Sequence, residues 1–406
     1  MARRGRRNTA LKQSDRLDVQ APEHEMETAS LTQEMIEMMR SRIGLELRID
    51  GSRSNAEATR YAILRFAEGV GDDNPLWVDD EYAASAVFGE LVAPPTWVFC
   101  CFSGIQFGWP GLGSVHSASE MRFHRVIRVG DTILVRCIYD GFEGPMPSSF
   151  AGRKLLDRFK IEYRNQRGEP VADHLLTITR FERAQAQKRS SDRSIELPHP
   201  WTPEELAEID EEILSERPRG KEIRWWDDVQ VGDELDRATR GPIGLTDEVA
   251  FVATGAAPIP RIAAHGAALR KYRKQPKWAF RDPATHAWEP LYSVHYSAYA
   301  AQQQGALAAY DVGPQRMAWQ VNMLTNWAGD HSFVKGIVDS FKGFVYFSDV
   351  VRLGGRVTEK YVDDEGDAVV AFETWAVNQR GENVMPGSAL VALPSHDGRE
   401  PLDGRS

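Results

Sequence analysis

Apolar and polar positions along the chain change period several times, and each change marks an element. Between Glu57 and Val70, Ala58, Tyr61, Ala62, Leu64, Phe66 and Ala67 recur at helical spacing, and Gly69 and Gly71 close the run. Residues 35–43 predict a shorter helix ahead of it. Pro94 and Pro95 precede a strongly apolar stretch, residues 97–107. Proline is accommodated in a first helical turn, so this stretch predicts a buried helix. Four runs then alternate with the period of two that strands require: residues 120–126, 132–139, 155–165 and 169–181. Residues 182–221 are charged and proline-bearing, which predicts a mobile linker with a short helix at 203–215.

An internal repeat organises these elements. Asn165-Gln166-Arg167-Gly168-Glu169 returns as Asn378-Gln379-Arg380-Gly381-Glu382, each between two strand-like runs. Glycine at the fourth place supplies the backbone angles of a hairpin turn. Upstream, Phe123–Asp131 lies on Phe341–Asp349 at an offset of 218, an aromatic-led strand running into a turn at an aspartate in both copies. Two such strings in the same order make duplication the better explanation. The chain is read as a tail (1–30), a first half (31–181), a linker (182–221), a second half (222–396) and a short tail (397–406). Each half is an α+β unit, one apolar helix wrapped by a curved antiparallel sheet. Such a sheet leaves an edge, and the second copy is its natural partner.

Composition narrows the function classes. At 406 residues the chain is too long for one ordinary core. A net charge of −10 gives no electrostatic case for nucleic acid. No apolar run approaches the roughly 18 residues that span a bilayer, and the basic start has no apolar stretch behind it. Cys100, Cys101 and Cys137 read as core residues in a reducing, cytoplasmic setting rather than a disulfide framework. His265 and His286 lack metal-like partners at useful spacing, so no metal site is expected.

Gly71-Asp72-Asp73-Asn74-Pro75-Leu76-Trp77-Val78-Asp79, followed by Tyr82-Ala83 and Phe88-Gly89, resembles the loop of MaoC-like enoyl-CoA hydratases and dehydratases. In that family the loop reads Gly-Asp-x-Asn-Pro-Leu-His-x-Asp, so Trp77 stands where the histidine belongs. The family's Ala-His-Gly helix entry is here Ala93-Pro94-Pro95. This variant resembles the first halves of fused MaoC-like proteins whose N-terminal domain is similar to the dehydratase of fungal fatty acid synthase. The stretch from Gly305 to Arg316, opening the apolar residues 317–328, resembles the second halves of the same proteins. The offset of 218 sets His295 opposite Trp77 and Gly313 opposite Pro95, with Pro290 opposite Asp72 and Ser297 opposite Asp79.

The resemblance implies a double hot-dog fold and reversible hydration or dehydration of an acyl thioester, on coenzyme A or an acyl-carrier protein. It implies no metal or redox cofactor. Adding water to the 2,3 double bond needs a base for the water and an acid for carbon 2, transfers typically worth roughly 10² to 10⁴ in rate. The thioester oxygen becomes enolate-like, and backbone N–H groups at a helix start can hold it. His295 and Gly313 are the candidates for these roles, with Asp311, ahead of Glu289, as the carboxylate beside the histidine. Asp72 is carried over from the first-half motif. Asn74, Trp77, Asp79, Tyr292 and Arg316 are the candidate substrate contacts. Asp72, Asn74, Asp79 and Asp311 are equally good turn and capping residues. The rival readings are a non-catalytic acyl-binding or scaffolding subunit beside another MaoC-like chain, and a thioesterase on the same fold. Either a homodimer or such a heteromer fits.

Overall fold

A computed structural model of the chain describes residues 28–402 except 48, 50–54, 103–108, 110, 191–194, 257–262, 275, 277 and 278. The first half runs α1 (Gln33–Arg40), α2 (Arg60–Val70), α3 (Pro75–Val78), α4 (Asp80–Ala84), β1 (Val92–Ala93) and α5 (Val98–Cys101). Its strands are β2 (Leu112–Phe123), β3 (Ile127–Arg128), β4 (Leu134–Ser148), β5 (Gly152–Arg164) and β6 (Pro170–Glu182). Two helices, α6 (Arg183–Ser190) and α7 (Pro203–Ser215), lead onward. The second half opens with β7 (Ala238–Arg240), α8 (Leu245–Ala253), α9 (His265–Lys274), β8 (Ala279–Arg281), β9 (Trp288–Pro290) and α10 (Ala298–Gln302). It ends with α11 (Gly313–Ala328), β10 (Phe333–Ser340), β11 (Val351–Val362), β12 (Ala368–Asn378) and β13 (Gly387–Ala392).

Among the described residues nine strands form one antiparallel sheet in the order β4-β5-β6-β2-β10-β13-β12-β11-β7. Period-two patterning sets its faces: Leu155, Asp157, Phe159, Ile161 and Tyr163 of β5 point inward, while alternate residues are more exposed. The halves join where β2 meets β10, from Ala118↔Ser340 to Arg122↔Gly336. That pairing hides one edge of each half-sheet. The second half-sheet wraps α11, of which Met317, Trp319, Val321, Met323 and Leu324 are among the buried residues. This is a double hot-dog fold of the α+β class.

The duplication shows in hydrogen bonds as well as in strand order. In the two repeated turns, Gly168 N–H donates to Asn165 O and Gly381 N–H to Asn378 O, both at 2.9 Å. Gln166 donates to Asp131 at 3.0 Å, and Gln379 to Asp349 at 2.7 Å. The bridge Val92↔Arg128 returns as Tyr310↔Tyr346, again at the offset of 218.

Two expectations differ from the fold. The helix predicted at 97–107 is a 3₁₀ turn, Pro95–Trp97, followed by α5, and Phe102 is already extended. The Phe102 carbonyl accepts the Tyr163 hydroxyl rather than a helical N–H; residues 103–107 lie outside the described ones. The stretch 182–221 is not a solvated tether throughout. A Thr202–Glu205 capping box starts α7, Glu212 pairs with Arg352, Glu216 pairs with Arg240, and Ile209 is buried. Its charges meet arginines of the second-half sheet, which composition alone does not show. The expected N-terminal tail falls almost wholly outside the described residues. Among the described residues no helix is long and apolar enough to cross a membrane. All three cysteines are free and buried.

Candidate active site

The chain enters α11 through Val312, which is extended and offers no side-chain cap, then Gly313 and Pro314. Pro314 has no N–H, and the Gln315 and Arg316 N–H groups donate to the Val312 carbonyl at 2.9 and 3.3 Å. The Gly313 N–H is thus the first-turn donor without an acceptor among the described residues, and the sixteen-residue helix adds its positive end there. A cavity of about 860 Å³ opens at this point, lined by His116, His295, Tyr310, Gly313, Arg316 and Phe341 among others. His116 comes from β2 of the first half, so both halves build the wall.

His295 ends a 3₁₀ turn, Leu291–His295, and its Nδ1 lies 2.9 Å from the Tyr310 carbonyl oxygen. A carbonyl only accepts, so Nδ1 carries the proton and Nε2 of the neutral ring keeps its lone pair. The rings of Tyr292 and Tyr310 flank it at 4.6 and 4.9 Å between centroids. Burial holds its pKa below the usual 6.5, against the opposing pull of the Tyr310 carbonyl and Asp311. The imidazole is therefore neutral at pH 7 and able to take a proton.

Asp311 is engaged elsewhere. Its two oxygens accept from Arg316 Nε at 2.8 Å and Nη2 at 2.5 Å, and both side chains are buried. Arg316 also donates to the carbonyls of Gly343 and Val384, each at 3.1 Å. The pair fastens the entry of α11 to the chain after β10, so the geometry does not make Asp311 the carboxylate hydrogen-bonded to His295. Glu289 lies on β9, half-buried, with its pKa pushed up by burial and Asp282; no hydrogen bond joins it to His295.

The first-half motif residues sit elsewhere. Asp72 accepts the Asn74 N–H at 3.1 Å, and burial raises its pKa to about 7. Asn74 caps α3 by accepting the Leu76 N–H at 3.0 Å and donates to Asn326 at 3.3 Å. Asp79 caps α4 through the N–H groups of Glu81 and Tyr82. Trp77, only 3% exposed, packs with Phe88, Pro95 and Phe123 around a residual space of about 50 Å³. The structure thus gathers His295, Gly313 and Arg316 at one cavity, with Asp311, and leaves Asn74 and Trp77 around the smaller one.

Two residues escaped sequence reasoning. His116 has no local motif and reaches the cavity only because β2 pairs with β10. Glu248 on α8 is buried, and neither carboxylate oxygen has a hydrogen-bond partner among the described residues. Burial and the nearby Asp311 and Asp247 push its pKa well above the carboxylate range.

Comparison with known proteins now gives this geometry a context. Residues 44–174 match the FAS1-like dehydratase domain region. A UPF0336 protein of Streptomyces avermitilis is 32% identical over 123 residues, covering 28% of this chain and 78% of that protein. The 3-hydroxybutyryl-CoA dehydratase of Methylorubrum extorquens is 28% identical over 81 residues, covering 20% of this chain and 52% of that one. A solved MaoC-like dehydratase superposes with a TM-score of 0.59 at 15% identity, over 87% of this chain and 99% of the other. The chain belongs to the MaoC-like hydratase and dehydratase family, as a double hot-dog protein whose first half is of the FAS1-like dehydratase type.

Proposed function

We propose that the chain reversibly hydrates an enoyl thioester of the acyl-CoA type, with the chemistry in the second-half cavity. One observation carries this reading: His295, with Nδ1 pinned to a carbonyl and Nε2 bare, shares a cavity with the open N-terminus of α11. In the hydration direction Nε2 takes a proton from water while the water oxygen bonds to carbon 3. The double-bond electrons move toward the thioester oxygen, which is held by the Gly313 N–H. The imidazolium then returns its proton to carbon 2, so water is added and the histidine is restored. One oxyanion donor is typically worth about 10² to 10³ in rate. The test is the absorbance of crotonyl-CoA, whose enoyl band disappears on hydration in the presence of the purified chain.

A second reading draws on the Asp311–Arg316 pair. No carboxylate among the described residues hydrogen-bonds His295. A chain lacking that partner would bind an acyl group or scaffold a second MaoC-like subunit that owns a complete site. Activity only in a mixture with such a subunit would establish this reading. Release of free thiol from the same substrate would establish a thioesterase instead.

A further inference from the structure

His116 faces Gly313 across the seam between the halves and belongs to neither family motif. It lines the large cavity, and a Cβ on residue 313 would collide with its Nδ1. Its Nε2 lies 2.7 Å from Ser119 Oγ, and that oxygen lies 2.8 Å from Nε2 of His174 on β6. His174 is buried, and its Nδ1 has no hydrogen-bond partner among the described residues. Burial pushes both imidazoles down to about 3, so each is neutral and carries one proton.

A serine hydroxyl has one proton, so between two imidazoles it donates to one and accepts from the other. In one arrangement His174 donates from Nε2 to Ser119, Ser119 donates to Nε2 of His116, and His116 is protonated on Nδ1. In the reverse, His116 donates from Nε2 to Ser119. His174 then holds an N–H on Nδ1 that nothing receives. On the buried His174 an N–H without an acceptor is the rarer and costlier defect, and a bare lone pair is tolerated more easily. His116, by contrast, is only partly buried and lines the open cavity, where water or a ligand can meet its Nδ1–H. No hydrogen bond among the described residues joins the helix to His116 Nδ1, which would have favoured the reverse.

We infer that the His174–Ser119–His116 chain fixes His116 as an Nδ1–H donor beside Gly313, giving the second-half site a second donor for the thioester oxygen, supplied by the first half. His116 and His295 then have opposite roles: one presents a proton, the other a lone pair. Two donors side by side with no hydrogen-bond acceptor among the described residues are completed by an oxygen from outside. Ser119 and His174 act through His116 and are positioning residues. The identity of that oxygen rests on the thioester reading; the tautomer does not.

Nitrogen-15 NMR of the imidazole-labelled full chain at pH 7 tests the tautomer, with His116 assigned through His116→Gln. The result expected is a protonated Nδ1 and a bare Nε2 on His116, with both tautomers populated in Ser119→Ala. A protonated Nε2 on wild-type His116 overturns the inference, as does an unchanged tautomer in Ser119→Ala. Carbonyl-labelled butyryl-CoA, which cannot be hydrated, supplies the second readout through its infrared C=O stretch. Binding should lower that frequency, His116→Phe should lose part of the shift, and His116→Gln should retain it. Equal shifts in wild type and His116→Phe exclude the donor role. Failure of butyryl-CoA to bind any form would count against the thioester reading, and the tautomer would still be decided by NMR.

Discussion

The loop with the more recognisable letters and the loop with the cavity use their polar groups in opposite ways. In the first half Asp72, Asn74 and Asp79 all accept backbone N–H groups of their own loop or of the helices they cap. Trp77 fills the space beside them, and Pro95 has no N–H at the aligned helix entry. In the second half His295 and Gly313 stand at the aligned positions, the helix entry has no side-chain cap, and about 860 Å³ remains open. A motif string therefore reports loop geometry at most of its positions. On the proposed function, chemistry hangs on two of the positions that differ between the halves, the histidine and the residue at the helix start.

The largest expected effect breaks the open site. His295→Ala should lower crotonyl-CoA turnover by roughly 10² to 10⁴ while sparing thermal stability, since it removes proton transfer and little core. Gly313→Ala comes next: its methyl would drive into His116 and displace the first turn of α11. A loss of about 10² in kcat is expected, the size of one oxyanion donor, read by steady-state kinetics.

The closed site should answer in stability instead. Trp77→Ala removes a nearly buried indole and should cost about 3–5 kcal/mol in denaturant unfolding, with turnover per folded molecule unchanged. Equal losses of turnover in Trp77→Ala and His295→Ala would erase the contrast between the halves.

Two pH effects sharpen it further. Burial holds His295 below 6.5, so its basic form persists as pH falls, and the acid limb of kcat/KM should lie below pH 6.5. Asp339 is buried between β2 and β13, and burial raises its carboxyl to about 7, well above the unfolded value near 4. An acid with a raised folded pKa contributes stability below the unfolded pKa and loses it as pH rises through the folded one. Stability should decline between about pH 4 and 7, at no more than about 1.4 kcal/mol per pH unit. Asp339→Asn should flatten that decline, as seen in denaturation midpoints at pH 5 and 8.

Much of the fold was legible because it is written locally. Thr59 and Gly71 cap α2, and each repeated turn closes through its own asparagine, glycine and glutamate. The offset of 218 carried the duplication into three dimensions through Val92↔Arg128 and Tyr310↔Tyr346. The site was legible only in part. His116 depends on strand pairing across the two halves, which no local spacing encodes. Asp311 and Arg316 are five residues apart at a helix entry, a spacing that fits a buried ion pair as well as a catalytic carboxylate. The charged run before the second half reads as a tether in sequence because its partners, Arg240 and Arg352, lie far along the chain on the second-half sheet, while its short helix at 203–215 is written locally.

The central claim, that the second half holds the working site, is tested most directly by a crystal structure of the chain with butyryl-CoA. The account predicts the thioester oxygen at the Gly313 N–H, with Nε2 of His295 facing carbons 2 and 3. A thioester seated instead against Trp77 and Asp72, with the cavity at Gly313 empty, would contradict it.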